Sequence, residues 1–280
     1  TAFATNNLSL NDSNYTLNGG TISAIINKKP LNTLVTKTYD GSSTFNSGFV
    51  FSGTVTGETT PTATGSAAVS SQNAGLYSSF ATNGLTLSNS NYTLSGGLVS
   101  ATINQKPLNT LVAKTYDGST TFNSGFVFTG TVNGDSTPNV ISGQATVSSK
   151  NAGLYTSFIT NGLTLSNSNY TLSGGLVSAT INQKPLNTLV AKTYDGSTTF
   201  NSGFVFSGTV NGETSPTATG SATVSSQNAG LYSSFATNGL TLSNSNYTLS
   251  GGLVSARINK ANATVTGLSG TASMTEPQSQ

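Results

Sequence analysis

The chain has no histidine, no cysteine and no tryptophan, and only 6% of its 280 residues are charged. A typical soluble domain carries roughly 25% charged residues. Without cysteine the chain can form neither disulfides nor thiolate metal sites. Its 10 Lys and Arg against 8 Asp and Glu give a net charge of +2. The basic residues form no cluster of the kind that neutralises phosphates, so we expect no nucleic-acid partner.

Long apolar runs are also lacking. None approaches the roughly 20 residues that cross a bilayer as a helix, and no charged-then-apolar segment opens the sequence as a secretory signal would. We therefore expect no membrane span. The only Met is Met274, and we expect the sequence to be part of a longer protein.

Ser, Thr, Asn and Gly take the place of the missing charges. These residues are weak helix formers, and Gly and Asn are typical of turns. A Ser- and Gly-rich chain can also be disordered, but the 13 Phe and 10 Tyr recur at fixed positions, which a flexible linker has no reason to keep. The composition therefore predicts a folded, all-β protein with almost no helix.

Internal repetition dominates the sequence. Tyr-Asp-Gly begins at Tyr39, Tyr116 and Tyr194, at spacings of 77 and 78 residues. Residues 83–128 are identical to residues 161–206, a stretch of 46 residues. A period of this length is too long for one solenoid coil and suits a small domain. We expect the C-terminal part of a preceding module at 1–25, full modules at 26–103, 104–181 and 182–258, and the start of a diverged module at 259–280.

Each copy contains short strand-like runs separated by turn residues. In the second copy and the connection leading into it they are residues 98–103, 108–113, 126–132, 144–148, 154–159, 163–166 and 170–172. Seven such strands in about 78 residues are typical of an antiparallel immunoglobulin-like β-sandwich. Asn-Gly pairs such as Asn83-Gly84 and Asn133-Gly134 predict hairpins. The connector 103–107 ends in Pro107, whose fixed φ predicts a stiff joint and hence a rod of modules.

Asn-Ala-Gly-Leu-Tyr ends at Tyr77, Tyr155 and Tyr232. The pattern is similar to the tyrosine corner of immunoglobulin-like sandwiches, in which a Tyr hydroxyl bonds the backbone a few residues upstream. It predicts that hydrogen bond in each copy.

The run Lys114-Thr115-Tyr116-Asp117-Gly118-Ser119-Thr120 resembles the hallmark of YDG-type repeat domains, and Asn-Ala-Gly-Leu-Tyr and Asn-Tyr-Thr-Leu also match that pattern. The tail from Asn259 resembles the opening strand of a related MBG-type module. Such modules occur in very large exported bacterial proteins of the filamentous-haemagglutinin kind. The resemblance implies an extracellular location on the bacterial cell surface, adhesion and biofilm structure, and it implies no catalytic residues.

Catalytic chemistry has few candidate groups. General acid-base and nucleophilic catalysis depend chiefly on His, Cys or perturbed carboxylates and Lys. Each copy repeats two acids, Asp40 with Glu58 in the first, Asp117 with Asp135 in the second and Asp195 with Glu213 in the third. A glycosidase-like pair is conceivable, but small sandwiches leave no room for a cleft, and two acids are too few for a calcium site. We expect no enzyme activity, no cofactor and no metal.

The Tyr-Asp-Gly sequences are interpreted as turns in which Asp caps backbone N–H groups, Gly takes a positive φ and Tyr packs beneath. These are Tyr39-Asp40-Gly41, Tyr116-Asp117-Gly118 and Tyr194-Asp195-Gly196. A sharper hypothesis is that the lone lysine beside each turn, Lys37, Lys114 or Lys192, forms an isopeptide bond to an Asn. Each bond would expel one ammonia, which an intact mass would detect.

Asn14, Asn91, Asn169 and Asn246 each stand in an Asn-Tyr-Thr sequon. They are candidate glycosylation sites, and the competing interpretation is a turn Asn before a core Tyr.

These features favour a structural stalk of a bacterial adhesin or extracellular fibre, whose partners are neighbouring modules and other copies of itself. One alternative is a self-assembling filament joined by edge-strand or donor-strand pairing. Another is a carbohydrate-binding module that uses Tyr and Phe as platforms. The surface ligand is not identified by the sequence.

Overall fold

The computed structural model describes residues 8–17, 23–160 and 162–264. Its described part contains no helix, and about 40% of that part is strand, arranged in repeated small sheets. The expected all-β class is therefore confirmed. The cause is local, because Ser, Thr and Asn disfavour helix and the alternating apolar residues match the two-residue period of a strand.

Each copy forms ten short strands. In the first copy they are β1 Lys29–Pro30, β2 Asn32–Thr38, β3 Thr44–Phe45, β4 Val50–Ser52, β5 Ala63–Gly65, β6 Ala67–Ala68, β7 Gly75–Tyr77, β8 Leu85–Leu87, β9 Tyr92–Thr93 and β10 Val99–Asn104. In the second they are β11 Lys106–Pro107, β12 Asn109–Thr115, β13 Thr121–Phe122, β14 Val127–Thr129, β15 Val140–Ser142, β16 Ala145–Thr146, β17 Gly153–Tyr155, β18 Thr164–Leu165, β19 Tyr170–Thr171 and β20 Val177–Asn182. In the third they are β21 Lys184–Pro185, β22 Asn187–Thr193, β23 Thr199–Phe200, β24 Val205–Ser207, β25 Ala218–Gly220, β26 Ala222–Thr223, β27 Gly230–Tyr232, β28 Leu240–Leu242, β29 Tyr247–Thr248 and β30 Val254–Asn259.

The first and third copies share one topology. A four-stranded sheet has the order β4-β2-β10-β7 in the first copy and β24-β22-β30-β27 in the third. Two antiparallel pairs accompany it, β3 with β6 and β5 with β8, and again β23 with β26 and β25 with β28. In β2 the inward residues Thr33 and Val35 are buried while the intervening Leu34 is exposed. Alternation of this kind places one face of the strand on the core.

Two pairings in each copy are parallel. β2 runs parallel to β10 over six residue pairs, and β1 runs parallel to β9. The expectation of a purely antiparallel arrangement is wrong here. Parallel neighbours need a long crossover, and the chain between β2 and β10 supplies one, so the last long strand of a copy returns beside its first.

The strand-like runs expected in the second copy all contain strands, although the strands are shorter. The sequence did not indicate β13 or β15, each of only two or three residues. The connector also differs from expectation: residues 103–104 end β10 and residues 106–107 form β11, which pairs with β19. Of these connector residues only Gln105 lies outside a strand, and the stiffness of the joint stays a prediction.

Asn83-Gly84 forms a turn, in which the Leu85 amide donates to the Thr82 carbonyl at 3.0 Å. It is not the predicted hairpin, because neither residue has a positive φ and the strand that follows, β8, pairs with β5. A Cβ on Gly84 would lie 2.4 Å from the carbonyl oxygen of Ser66. Glycine is needed there for a close approach of two backbone segments. Asn133-Gly134 does form a turn, with φ of 93° at Gly134 alone.

The packing divides the chain into two compact units that do not follow the copy boundaries. The first takes the residues up to Asn109 with 128–141 and 164–175, and the second takes 110–127, 142–163 and the residues from Leu176 onward. The second unit has a core cluster to which the second and third copies both contribute. The second copy provides Val112, Tyr116 and Phe122, and the third provides Leu186, Phe206 and Tyr247. This cluster is therefore shared by the second and third copies, whereas two further clusters, around Phe51 and around Phe200, each belong to one copy.

Within the N-terminal segment, residues 8–17 and 23–25 are exposed and belong to no strand. Tyr15 is exposed, whereas the corresponding Tyr92 is buried. Tyr92 lies in β9 and is paired with β1.

Candidate functional site

Each Tyr-Asp-Gly sequence forms a tight turn, which we call the plug. In the first copy Asp40 Oδ1 accepts a hydrogen bond from the Ser42 amide at 3.0 Å, and Gly41 has a φ of 78°. Tyr39 is buried, with 2% of its surface exposed. These are the features that the sequence predicts for the turn. The equivalent plugs are Tyr116-Asp117-Gly118 and Tyr194-Asp195-Gly196. Tyr116 is buried like Tyr39, but Tyr194 is 42% exposed, so the prediction that the tyrosine packs beneath the turn is wrong for the third copy.

A lysine donates hydrogen bonds to each plug. Lys37 Nζ donates to Asp40 Oδ1 at 2.7 Å and to the carbonyl oxygens of Ser42 and Thr44 at 2.6 and 2.9 Å. It also lies 5.1 Å from the centre of the Phe45 ring. Lys114 and Lys192 make the equivalent hydrogen bonds in the second and third copies. In the third copy the hydrogen bonds from Lys192 and from the Ser197 amide lower the pKa of Asp195.

The isopeptide hypothesis concerns these same three lysines. The hydrogen bonds seen for Lys37 use all three N–H groups of an ammonium. None of these acceptors belongs to an Asn side chain. The isopeptide bond stays a prediction, which intact mass would test.

A second turn presents a carboxylate, and we call its surroundings the socket. In the second copy the Asp135 amide donates to the Val132 carbonyl at 3.1 Å, with a positive φ at Gly134 between them. The Tyr170 hydroxyl donates to Asp135 Oδ2 at 2.6 Å and accepts from the Val132 amide at 2.9 Å. The sockets are Val55, Glu58, Asn91 and Tyr92; Val132, Asp135, Asn169 and Tyr170; and Val210, Glu213, Asn246 and Tyr247.

The plug of the first copy sits in the socket of the second. The Tyr39 hydroxyl donates to Asp135 Oδ2 at 2.9 Å, so one carboxylate oxygen receives two tyrosine hydroxyls. The rings of Tyr39 and Tyr170 meet edge to face, with centres 5.5 Å apart. Gly41 fits closely, since a Cβ there would lie 3.1 Å from Val132 Cγ1. This contact joins the two copies.

The second plug and third socket repeat the arrangement. The Tyr116 hydroxyl donates to Glu213 Oε1 at 2.5 Å, and Tyr247 donates to Glu213 Oε2 at 2.6 Å. Lys150 adds an ion pair with Glu213 at 3.3 Å. The tyrosine hydrogen bonds lower the pKa of Glu213. Burial, together with the hydrogen bond to Glu213, raises the pKa of Tyr116 to about 12.

A second polar contact lies beside each of these two plugs, those of the first and second copies. The Asn169 side chain of the second copy accepts from the Ala74 amide at 2.7 Å and donates to Asn73 Oδ1 at 3.1 Å. Asn246 makes the same pair of hydrogen bonds with Ala152 and Asn151.

The tyrosine of Asn-Ala-Gly-Leu-Tyr holds this loop in place. The Tyr77 hydroxyl donates to the carbonyl of Asn73, four residues upstream, at 2.6 Å. Tyr155 and Tyr232 make the equivalent bond at 2.5 Å. This is the upstream hydrogen bond that the sequence predicts, and in the first two copies it orients the loop that meets the next copy.

The four sequon asparagines differ in their surroundings. Asn169 and Asn246 are each 7% exposed, and their Nδ2 atoms, where a glycan would be attached, donate to the preceding copy. Asn14 and Asn91 are exposed. Glycosylation of Asn169 or Asn246 would break the contact between copies. Glycosylation of Asn14 or Asn91 stays a prediction.

The two acids of each copy have separate roles in this geometry. Asp40 and Asp117 stay with their own plug lysine, whereas Asp135 and Glu213 receive tyrosines of two copies. In the described ranges, no three His, Cys, Asp or Glu side chains form a group that could hold a metal ion.

No helix in the described part of the chain is long and apolar enough to cross a membrane.

From the sequence, the socket acids are candidates for half of a catalytic pair or for a calcium ligand, and no structural role is predicted for them. A signal for their structural role was present, because an acid follows Gly57, Gly134 and Gly212 in all three copies of a chain with very little charge. The sequence could not show that the partner of Asp135 or Glu213 is the tyrosine of the preceding copy, nearly 100 residues away.

Comparison of the chain with protein-family models, curated proteins and solved structures found no match.

Proposed function

We propose that this chain is a structural stalk, the repeat region of a bacterial cell-surface adhesin or extracellular fibre. The observation that carries the proposal is the use of the repeated motifs. Tyr-Asp-Gly, Asn-Ala-Gly-Leu-Tyr and Asn-Tyr-Thr all contribute to the plug-socket contact between successive copies. The distinctive side chains thus join modules to one another, which is what a spacer requires.

The proposal includes the finer architecture. Each copy would be an immunoglobulin-like sandwich, with the four-stranded sheet facing the smaller strand pairs, and the copies would form a rod. The tyrosine hydrogen bond of Asn-Ala-Gly-Leu-Tyr supports the first part. The resemblance to YDG-type repeats of large exported proteins supports the cell-surface location, adhesion and biofilm role.

The two alternative functions have less support. Edge-strand pairing would use β4 and β7, which are three residues long, and very short edge strands are one way that proteins avoid such pairing. A carbohydrate-binding module needs exposed aromatic platforms. Among the described tyrosines and phenylalanines, the strongly exposed ones are Tyr15 and Tyr194, neither of which recurs exposed in every copy.

Deletion of one copy tests the stalk. Removing residues 104–181 would bring the Tyr39 plug to the Glu213 socket, which has the same chemistry as the Asp135 socket. We expect the shortened chain to fold, and its radius of gyration in scattering to fall with the lost length. The parent should exceed the about 19 Å of a compact 280-residue protein by half or more.

Labelling of intact producing cells tests the location. An antibody raised against this chain should bind whole cells, and a chain without residues 104–181 should hold the surface fibre closer to the cell. A compact parent chain, or labelling only after the cells are broken, would contradict the proposal.

A further inference from the structure

The two longest strands of each copy lie side by side in the middle of its sheet. In the third copy these are β22 and β30, and the order β24-β22-β30-β27 places a shorter strand on either side of them. β22 has seven residues and β30 has six, whereas the other strands of this copy have two or three. The pairing that joins the beginning of a copy to its end is therefore the most extensive one that the copy makes.

The pairing of β22 with β30 is parallel and extends over six residue pairs. Backbone hydrogen bonds continue it at both ends. The Thr188 amide donates to the Leu253 carbonyl at 2.8 Å, and the Tyr194 amide donates to the Asn259 carbonyl at 2.8 Å. The first and second copies contain the same parallel ladder with the same two terminal bonds. Because the bonds of a parallel ladder are evenly spaced, the two strands are held together along their whole length.

Both strands also turn one face to the core. Val190, Ala256 and Ile258 are each at most 2% exposed and belong to one core cluster. Protein interiors are close-packed, and a slip of one residue turns every side chain of a strand to the opposite face. One strand therefore cannot slide along the other by a small step without taking these side chains out of the core.

The direction of the strands decides how the ladder meets tension along the chain. Tension reaches a copy at the start of its first long strand and leaves it at the end of its last, which in the third copy are Asn187 and Asn259. Because the two strands are parallel, these points lie at opposite ends of the pair. Tension then pulls the strands lengthwise past each other, and all the ladder bonds resist together. In an antiparallel pair both points would lie at one end, and the bonds would break one after another.

We propose that each copy is a load-bearing module, whose first and last long strands form a mechanical clamp against tension along the chain. The clamp goes beyond the stalk proposed above. It depends on strand pairing within one copy and requires neither a rod nor a cell-surface location, so the two proposals can fail independently.

Single-molecule pulling of the full chain in two directions tests the clamp. The sequence has no cysteine, so two introduced thiols are the only points where handles attach. Lys184→Cys with Asn259→Cys loads opposite ends of β22 and β30. Lys184→Cys with Leu253→Cys is the matched control, because it loads the same ends of the two strands. Asn259 and Leu253 are exposed, so neither substitution changes the core.

The pair at opposite ends should unfold at a severalfold higher force, since its ladder bonds must break together. Each geometry should release about 23–27 nm of chain, from roughly 3.3–3.6 Å per extended residue, which shows that the same copy has unfolded. Equal forces in the two geometries, or a higher force in the control, would overturn the inference.

The first copy provides an independent repeat of the experiment. Lys29→Cys would be combined with Asn104→Cys for opposite ends and with Leu98→Cys for the same ends, and all three residues are exposed. The same difference in force is expected, because the ladder of β2 with β10 has the same length and direction. A difference confined to one copy would contradict the claim that every copy bears load.

Discussion

At the scale of single residues, tyrosine burial marks the contact between copies. The pKa of Tyr116 is raised to about 12 by burial and by its hydrogen bond to Glu213, and that of Tyr170 is raised to about 12 by burial and Asp135. The folded chain therefore favours the protonated hydroxyl over the phenolate. A phenolate would also repel the carboxylate that it faces.

Raising the pH should undo the contact. Because the folded pKa lies above the ordinary value of 10.0, the stabilising effect of Tyr116 is complete below about pH 10. It is lost as the pH rises through about 12. Absorbance of phenolate near 295 nm, followed together with near-ultraviolet circular dichroism, should show a late step coinciding with loss of tertiary signal. Tyr116→Phe should shrink that step. Titration of every tyrosine in one transition near pH 10 would contradict this account.

At the scale of strands, much of the fold could be predicted because the signal is local. The runs of alternating apolar residues located β2, β10 and their equivalents, since a period of two residues is visible in any short window. The parallel pairing of β2 with β10 could not be predicted in this way, because it joins segments more than 60 residues apart. Strands β3 and β6 are two residues each and too short to show a period.

Glycine placement shows the same limit. Asn83-Gly84 was interpreted as a hairpin because Gly often supplies a positive φ, yet the glycine is needed for its lack of a side chain. The turn before Glu58, Asp135 and Glu213 does use a positive φ at its glycine. Sequence pattern alone does not separate these two uses of glycine.

Close backbone packing predicts which glycines can be replaced. A Cβ on Gly252 would lie 1.9 Å from the carbonyl oxygen of Leu186 and 2.6 Å from its carbon, both backbone atoms. Gly252→Ala must shift the backbone at Leu186, between β21 and β22, and should lower the free energy of unfolding by about 2 kcal/mol or more. Gly230→Ala is the matched control, because nothing lies within 4 Å of its Cβ position. Denaturant unfolding measures the free energy of unfolding of both variants. Equal values would show that the backbones at Gly252 and Leu186 are not in tight contact.

At the scale of the whole molecule, the copies are coupled rather than independent. The sequence predicted three modules with separate cores, but one of the two core clusters in the second unit is drawn from both the second and the third copies. The Tyr116 plug is a member of that cluster. Near-identity of the copies then has a physical use, because the two observed contacts are built from the same residue types, a plug tyrosine and a socket carboxylate.

The coupling also accounts for where polar residues are kept. In a chain with 6% charged residues, the socket acid and the plug lysine are present in every copy. Asp135 and Glu213 are half-buried. Removing a carboxylate from water is costly unless it is hydrogen-bonded, and two tyrosine hydroxyls meet that need at each of them. These acids could be found in the sequence, but their partners could not, because the contact depends on how one copy meets the next.

A double-mutant cycle at Tyr116 and Glu213 tests the central claim, that the plug and socket join successive copies energetically. The free energy of unfolding would be measured in denaturant for the parent, Tyr116→Phe, Glu213→Gln and the double variant. The account predicts a coupling energy of about 1–3 kcal/mol, since a hydrogen bond to a charged group is lost in either single variant. Effects that add to within about 0.5 kcal/mol would contradict it.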